Sequence, residues 1–248
     1  MELFNNFFEA SGALAVLSRA SHILVGITWI GLLYFFNFIQ VPAYAELSDG
    51  ARSEALRKLT FRALWWFRYA ALLTFATGLI LVGLRSSAEN SNYLAGPTGT
   101  AILTGMLFGI TMFLNVWGVI WRNQKIVIGN AETVAGGGVA NPDAPAAAKK
   151  AARASRCNTL FSIPMLWFMV FAAHGGEFYP PDIGGTLVYW AIVLVLFGFI
   201  EASALGLIGG FDSQFNVLAF DKHKHTIIAG FGLLAVIWLV GWELLLPV

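Results

Sequence analysis

Long runs of apolar residues, separated by shorter polar stretches, form the dominant pattern of this chain. A helix needs about 20 apolar residues, each rising about 1.5 Å, to cross the hydrocarbon core of a bilayer. Six runs meet or approach that length: residues 14–41, 63–84, 98–121, 159–175, 184–208 and 226–247. We therefore predict an all-α integral membrane protein, a bundle of about six transmembrane helices. The first run is long enough to tilt or protrude, and the fourth is short.

The composition agrees with this pattern. Hydrophobic residues make up 58% of the 248 residues and charged residues only 12%, whereas soluble domains carry about 25% charged residues. Mean hydropathy is +0.71. Because the net charge is only +1, nothing points to nucleic acid as a partner, and membrane lipid is the expected surrounding. Cys157 is the one cysteine, so no internal disulfide can form, and no C-x-x-C-H motif for covalent haem occurs.

Basic residues alternate between the polar stretches, and this alternation predicts how the chain crosses the membrane. Twelve lysines and arginines flank the loops after the first, third and fifth runs, and only Arg19 and Arg85 fall on the other side. Cytoplasmic loops carry such an excess. We expect a multi-pass protein of the bacterial inner (cytoplasmic) membrane, with both termini on the periplasmic side. The whole chain, 1–248, is predicted to be a single membrane domain. Residues 1–12 could form an interfacial segment, and 131–156 a flexible basic cytoplasmic loop whose last part, AAAKKAARASR, forms a short surface helix.

Two histidines lie within apolar runs at similar expected depth. His22 is near the start of the first run and His174 near the end of the fourth, so the topology puts both in the periplasmic half. A six-coordinate b-type haem takes neutral nitrogen ligands from facing helices. Gly26, one turn from His22, would leave room for the flat macrocycle, and Arg19 could pair with a haem propionate. We predict haem b with His22 and His174 as iron ligands. The alternative is that each is a polar residue near the membrane surface, satisfied by water or a carbonyl.

His223 and His225 form a second candidate for metal ligation. They belong to DKHKHTII, at the start of the sixth run. Positions two apart do not share a face of a helix, so the two rings would not reach one ligand. The favoured interpretation is that they anchor the helix at the membrane surface. The alternative is that one of them binds a second haem or a metal.

Arg68 and Glu201 are ionisable residues inside apolar runs, at similar expected depth. Such residues are costly in a membrane and are usually paired or functional. A buried ion pair between Arg68 and Glu201 is one prediction. The other makes Glu201 a proton relay or the acid of a quinone site.

Two stretches together resemble a known family. Residues 18–36, SRASHILVGITWIGLLYFF, resemble the first membrane helix in the N-terminal domain of the bacterial membrane-bound urate oxidase (urate hydroxylase), in which a histidine precedes Gly-x-x-Trp-x-Gly. Residues 155–174, SRCNTLFSIPMLWFMVFAAH, resemble a later helix of that family, in which a proline precedes a histidine. Residues 59–83 are similar to its aromatic second helix.

This resemblance implies a multi-pass oxidoreductase domain that passes electrons to a cytochrome c, and His22 and His174 match the histidine positions of the family. In the family a cytochrome c domain follows the membrane domain. None follows in these residues, so we expect a separate cytochrome c as the acceptor. The expected function is a haem-b-binding membrane oxidoreductase or electron-transfer protein. The alternative is a non-catalytic structural subunit of a larger respiratory or photosynthetic membrane complex.

Overall fold

In the described part of the chain, the fold comprises six long helices, one short α-helix and a 3-10 turn at Asn92–Leu94. The computed structural model describes residue 4 and residues 6–88, 92–175, 178–179 and 186–246. Its helices are α1 (Ala13–Glu46), α2 (Asp49–Ala88), α3 (Pro97–Ala135), α4 (Ala144–His174), α5 (Thr186–Ala204), α6 (Gln214–Phe220) and α7 (His223–Leu244). No strand occurs in these ranges. All except α6 are long and apolar enough to cross a membrane. The prediction of an all-helical protein with six membrane-spanning segments is confirmed, while part of the predicted interfacial segment 1–12 lies outside the described residues.

Two helices extend well beyond their apolar runs. α4 begins at Ala144, not near residue 159, because the stretch AAAKKAARASR is rich in alanine, lysine and arginine, which are strong helix formers. α3 continues to Ala135. The expectation of a flexible loop over 131–156 is therefore corrected, since only residues 136–143 lie outside a helix. Arg153 and Arg156, within this segment, are buried in the protein.

α5 ends at Ala204, earlier than its apolar run, because the chain turns at a glycine. Gly206 has φ of +77°, a left-handed conformation that glycine adopts without strain at the C-terminus of a helix. The amide of Gly206 donates to the carbonyl of Ser203, and the amide of Leu207 to that of Ala202. The chain then reaches α6, whose first turn is capped by the side chain of Ser213.

α4 is the central helix of the bundle. Half of its most apolar window is buried inside the protein, against a third or less in each of the other five spans. It packs on α3 and α7, while α1 packs mainly on α2. Buried residues from all six spans join one core. Since lipid tails are as apolar as the side chains, close packing and interhelical hydrogen bonds must hold these helices together.

Four spans contain π-helical turns, in which backbone hydrogen bonds join residues five apart instead of four apart. They are Phe35–Gln40 in α1, Leu56–Thr60 in α2, Val116–Ile120 in α3 and Val236–Leu244 in α7. Such turns occur frequently at functional sites. The turns in α1, α2 and α3 lie toward the end of the bundle that holds Glu46, Asp49, Ala135, Ala144 and His223. We call it the basic end, because twelve of the 15 lysines and arginines lie there.

Candidate functional site

His22 lies half-buried between α1 and α2, toward the end of the bundle opposite the basic end. Its Nδ1 atom is 3.1 Å from Oγ1 of Thr77. The neighbouring Cε1 atom lies against Gly78, where an added Cβ would stand only 3.1 Å from it. Glycine at position 78 therefore lets α2 approach the imidazole closely. α2 thus covers the Nδ1–Cε1 edge of this ring.

The hydrogen bonds of Thr77 decide which nitrogen of His22 carries the hydrogen. A threonine hydroxyl has one hydrogen to donate. Thr77 Oγ1 lies 2.7 Å from the carbonyl of Leu73 and 3.1 Å from that of Thr74, so its hydrogen is directed to the backbone. We therefore assign the hydrogen of the neutral imidazole to Nδ1, with the hydroxyl as its acceptor. In that tautomer Nε2 keeps its lone pair, the arrangement found in histidines that bind metals through that atom.

His174 lies toward the same end of the bundle as His22. α1 and α4 are antiparallel and are joined where Tyr34 Oη and Ser162 Oγ are 2.8 Å apart, and where Asn37 Nδ2 donates to Ser155 Oγ at 2.8 Å. Each histidine lies twelve residues from the first pair, about 18 Å along its helix. Counted from the second pair, His174 lies four residues, about 6 Å, farther along its helix than His22 does. His174 is exposed in the last turn of α4, and no hydrogen bond or ring contact joins it to His22 in the described ranges.

The other residues predicted around the haem differ in their surroundings. Gly26 faces α2, where an added Cβ would stand 3.9 Å from Cγ2 of Thr74, so it serves the contact between α1 and α2. Arg19 is exposed, one turn nearer the end of α1. Trp29, two turns beyond His22 on the same face, is 3% exposed, and its Nε1 has no hydrogen-bond partner among the described residues. A buried donor without a partner costs about 1–3 kcal/mol.

The surroundings of His22, His174 and Trp29 indicate whether these residues are chemically suited to a haem. A neutral imidazole with its lone pair on Nε2, held by a hydrogen bond at Nδ1, is a donor that haem iron accepts. A second histidine lies toward the same end of the bundle on an antiparallel helix, and Trp29 has a buried donor without a partner among the described residues. The chemistry of these residues is compatible with the group, and haem binding by His22 and His174 stays a prediction.

His223 and His225 have separate environments at the basic end. The ring of His223 lies 6.1 Å from that of Phe38 in α1, measured between centroids. His225 Nδ1 is 3.0 Å from the carbonyl oxygen of Leu218 in α6. The two imidazoles therefore face different helices and do not form one binding site. No group of three or more metal-binding side chains occurs in the part of the chain that the structure describes.

Arg68 lies among aromatic rings. Its Cζ atom is 3.7 Å from the ring centroid of Trp121, 5.2 Å from that of Tyr69 and 5.8 Å from that of Trp117. Cation–π attraction replaces an anionic partner here. Its Nε and Nη1 atoms are buried without hydrogen-bond partners among the described residues. The predicted ion pair with Glu201 is not formed, because the two side chains have different neighbours.

Glu201 belongs to a polar cluster that joins α3, α4 and α5. Its Oε2 atom accepts hydrogen bonds from Asn115 Nδ2 at 3.2 Å and from Cys157 Sγ at 3.3 Å. Asn115 Nδ2 also donates to Asn158 Oδ1 at 3.0 Å, and Asn158 Nδ2 donates to the carbonyl of Met112 at 2.9 Å. Asn158 lies in the middle of α4 and is fully buried. The role of Glu201 as a proton relay stays a prediction.

The burial of Cys157 gives a direct check on this cluster. Its thiol is fully buried, and a buried thiol is inert because reagents cannot reach it. We expect the folded protein in detergent to resist a maleimide that labels the unfolded chain completely, measured by intact mass. A Cys157→Ser, Ala148→Cys variant, with its cysteine at an exposed position of α4, should label rapidly under the same conditions. Equally fast labelling of Cys157 would show that the cluster is open.

Thr77 and Gly78 are the site residues that sequence reasoning missed. Together with Thr74 they place small and hydroxyl-bearing residues at positions i, i+3 and i+4 of an apolar helix. Such spacing marks a close helix contact in membranes. That signal points to an interface, although it does not identify His22 as the residue on the other side.

Comparison with protein-family models, curated proteins and solved structures gave no match to this chain. The resemblance to the urate oxidase membrane domain therefore rests on the quoted stretches around His22 and His174 and on residues 59–83, and it stays a prediction.

Proposed function

We propose that this protein binds haem b in the membrane and transfers electrons, with His22 and His174 as the axial ligands. The observation that carries the proposal is the hydrogen bond between His22 and Thr77. With the imidazole hydrogen assigned to Nδ1, Nε2 keeps its lone pair for iron, and His174, toward the same end of the bundle on α4, is the candidate for the second ligand. Bound haem supplies reversible one-electron exchange between ferric and ferrous iron.

The residues around His22 have separate tasks in this proposal. Thr77 fixes the rotation and the tautomer of the imidazole. Gly78 lets α2 cover the Nδ1–Cε1 edge and keep lipid away from it. Arg19, exposed and nearer the end of α1, is placed to pair with a propionate. Trp29 adds a buried donor.

The charge pattern suggests where the electrons go. The candidate site is at the end opposite the basic end, and basic ends face the cytoplasm. We therefore propose a multi-pass protein of the bacterial inner membrane, with the haem near the periplasmic surface and a separate cytochrome c as the electron acceptor. An oxidoreductase activity like that of the urate oxidase family is the wider form of this proposal.

A visible absorption spectrum of the purified full-length protein, oxidised and then reduced with dithionite, tests the proposal. We expect a Soret band that shifts and sharpens on reduction, with haem released unmodified by acid and organic solvent, as haem b is. Fully folded protein without a Soret band, even after haemin is added, would overturn the proposal. That outcome would favour the structural-subunit alternative.

Replacing Thr77 tests how His22 is held. Thr77→Val keeps the size of the side chain and removes the acceptor for Nδ1. We expect its haem affinity to fall by about 10-fold to 100-fold, the usual effect of losing such a second interaction on a ligating histidine. Thr77→Ser, which keeps the hydroxyl, should bind haem as the natural protein does. Titration of haem-free protein with haemin measures both, and equal affinities for the two variants would contradict this role.

A further inference from the structure

A cavity of about 420 Å³ opens at the basic end, among α1, α2, α3 and α4. Its wall includes residues from three of the four π-helical turns: Asn37 and Gln40 from α1, Thr60 from α2 and Ile120 from α3. Three such turns around one cavity are unusual, because each disrupts a regular helix and tends to persist where function requires it. This cavity is separate from the proposed haem site, which lies at the opposite end of the bundle.

Most polar groups in the wall are satisfied within the protein. Thr60 Oγ1 donates to Gln40 Oε1 at 3.1 Å, and Asn37 Nδ2 donates to Ser155 Oγ at 2.8 Å. Two groups are different. Oε1 of Gln124 and Nη1 of Arg156 are buried and have no hydrogen-bond partner among the described residues. Almost every buried polar atom in a native protein has a hydrogen-bond partner. These two atoms therefore indicate a bound group that supplies the missing hydrogen bonds.

Arg156 is the cation of the wall that forms no ion pair of its own among the described residues, although the charge of Asp221 acts on it as well. Lys149 binds Asp212 at 2.5 Å, and this hydrogen bond holds the pKa of Asp212 below its ordinary value. Arg153 binds Asp221 at 2.6 Å, so the one carboxylate that lines the cavity is occupied. Arg156 is only 7% exposed, and no carboxylate lies within ion-pair distance of it in the described ranges. A buried cation without a partner is strongly unfavourable, so an anion here would stabilise the fold.

We infer that this cavity binds the phosphate group of a ligand that also carries hydroxyls. Nη1 of Arg156 donates to a phosphate oxygen, and Oε1 of Gln124 accepts a hydrogen bond from a hydroxyl of the ligand. A guanidinium presents paired donors that match phosphate oxygens. Phe36, Leu64 and Phe220 line the rest of the cavity and give it an apolar side. The phosphate can come from the headgroup of an anionic phospholipid, which basic pockets at the cytoplasmic ends of helices bind, or from a free phosphate ester. The volume suits a headgroup or a small ester.

The experiment separates the two sources. Full-length protein in phosphatidylcholine nanodiscs is compared with protein in nanodiscs that contain phosphatidylglycerol, by thermal unfolding and by mass spectrometry of retained lipid. Protein in the phosphatidylcholine discs is also titrated with glycerol 3-phosphate. Stabilisation or retention with phosphatidylglycerol assigns the site to a lipid, and stabilisation by glycerol 3-phosphate assigns it to a free ester. No effect of either on the natural protein overturns the inference.

Variants then test whether Arg156 carries the binding. Arg156→Gln should lower the affinity for the ligand that stabilised the natural protein by about 10-fold to 100-fold. This is the loss expected when a charged hydrogen bond is removed. Lys150→Gln, which removes an exposed cation of the same helix outside the cavity, should leave affinity unchanged. If Arg156→Gln does not fold, Gln124→Met takes its place and should weaken binding as well. Unchanged affinity in the folded cavity variant, or an equal loss in Lys150→Gln, would overturn the inference.

Discussion

The His22→Ala variant is expected to fold and to contain no haem. Alanine removes the only atom of α1 proposed to bind iron, and it leaves the helix, its contact with α2 through Gly26 and the rest of the core in place. Protein from haem-replete cells should therefore show a Soret absorbance at background level. Its elution volume on size-exclusion chromatography and its circular dichroism should match those of the natural protein.

His174→Ala should have a different spectrum, because His22 remains. We expect five-coordinate, high-spin haem, bound more weakly and removed by extended washing. His225→Ala is the matched control, since its imidazole hydrogen-bonds to the carbonyl of Leu218 at the basic end. That variant should keep the natural spectrum. Full low-spin haem in His22→Ala would contradict the assignment.

The Gly230→Leu variant is expected to lose much of its stability, whereas Gly232→Leu should not. At Gly230 an added Cβ would stand 2.6 Å from Cδ1 of Ile163 and 2.9 Å from the carbonyl oxygen of Leu160. A backbone oxygen cannot move aside as a flexible side chain can, so α7 must separate from α4. At Gly232, two residues along the same helix, nothing lies within 4 Å of the added atom.

Overpacking of this kind lowers the free energy of unfolding by about 1–3 kcal/mol. In Gly230→Leu it affects the contact between α7 and the central helix α4. Leucine at position 232 should be neutral or mildly stabilising, since glycine is a poor helix former. Thermal unfolding of both variants in the same detergent measures the difference. Equal melting temperatures for the two variants would show that α4 and α7 do not approach closely at Gly230.

Hydropathy was sufficient to predict the six spans, because the length of an apolar run directly reflects the thickness of a membrane. It did not predict where α4 begins, since AAAKKAARASR forms helix through propensity and not through apolar character. The π-helical turns also escaped prediction. Their sequences, such as FFNFIQ and VWGVI, have the same apolar composition as the helix around them.

The end of the bundle that holds the candidate site was predictable, and the rotation of its helices was not. Counting residues along each span placed His22 and His174 near one level. The contact of Tyr34 with Ser162 gives both the same level, whereas the bond from Asn37 to Ser155 offsets them by four residues. The same counting placed Arg68 near Glu201, yet Arg68 turns to Trp121. Packing sets the rotation of each helix about its axis, and a single sequence does not encode it in a readable pattern. Thr77 and Arg156 were missed for this reason.

Electron paramagnetic resonance of the oxidised natural protein, grown with ¹⁵N-histidine, tests the central claim most directly. If His22 and His174 bind one haem, the ferric signal must be low-spin, with hyperfine coupling to nitrogens of two histidine ligands. The signal should become high-spin in His174→Ala. A preparation saturated with haemin that shows no histidine coupling would contradict the account, as would coupling that persists unchanged in His22→Ala.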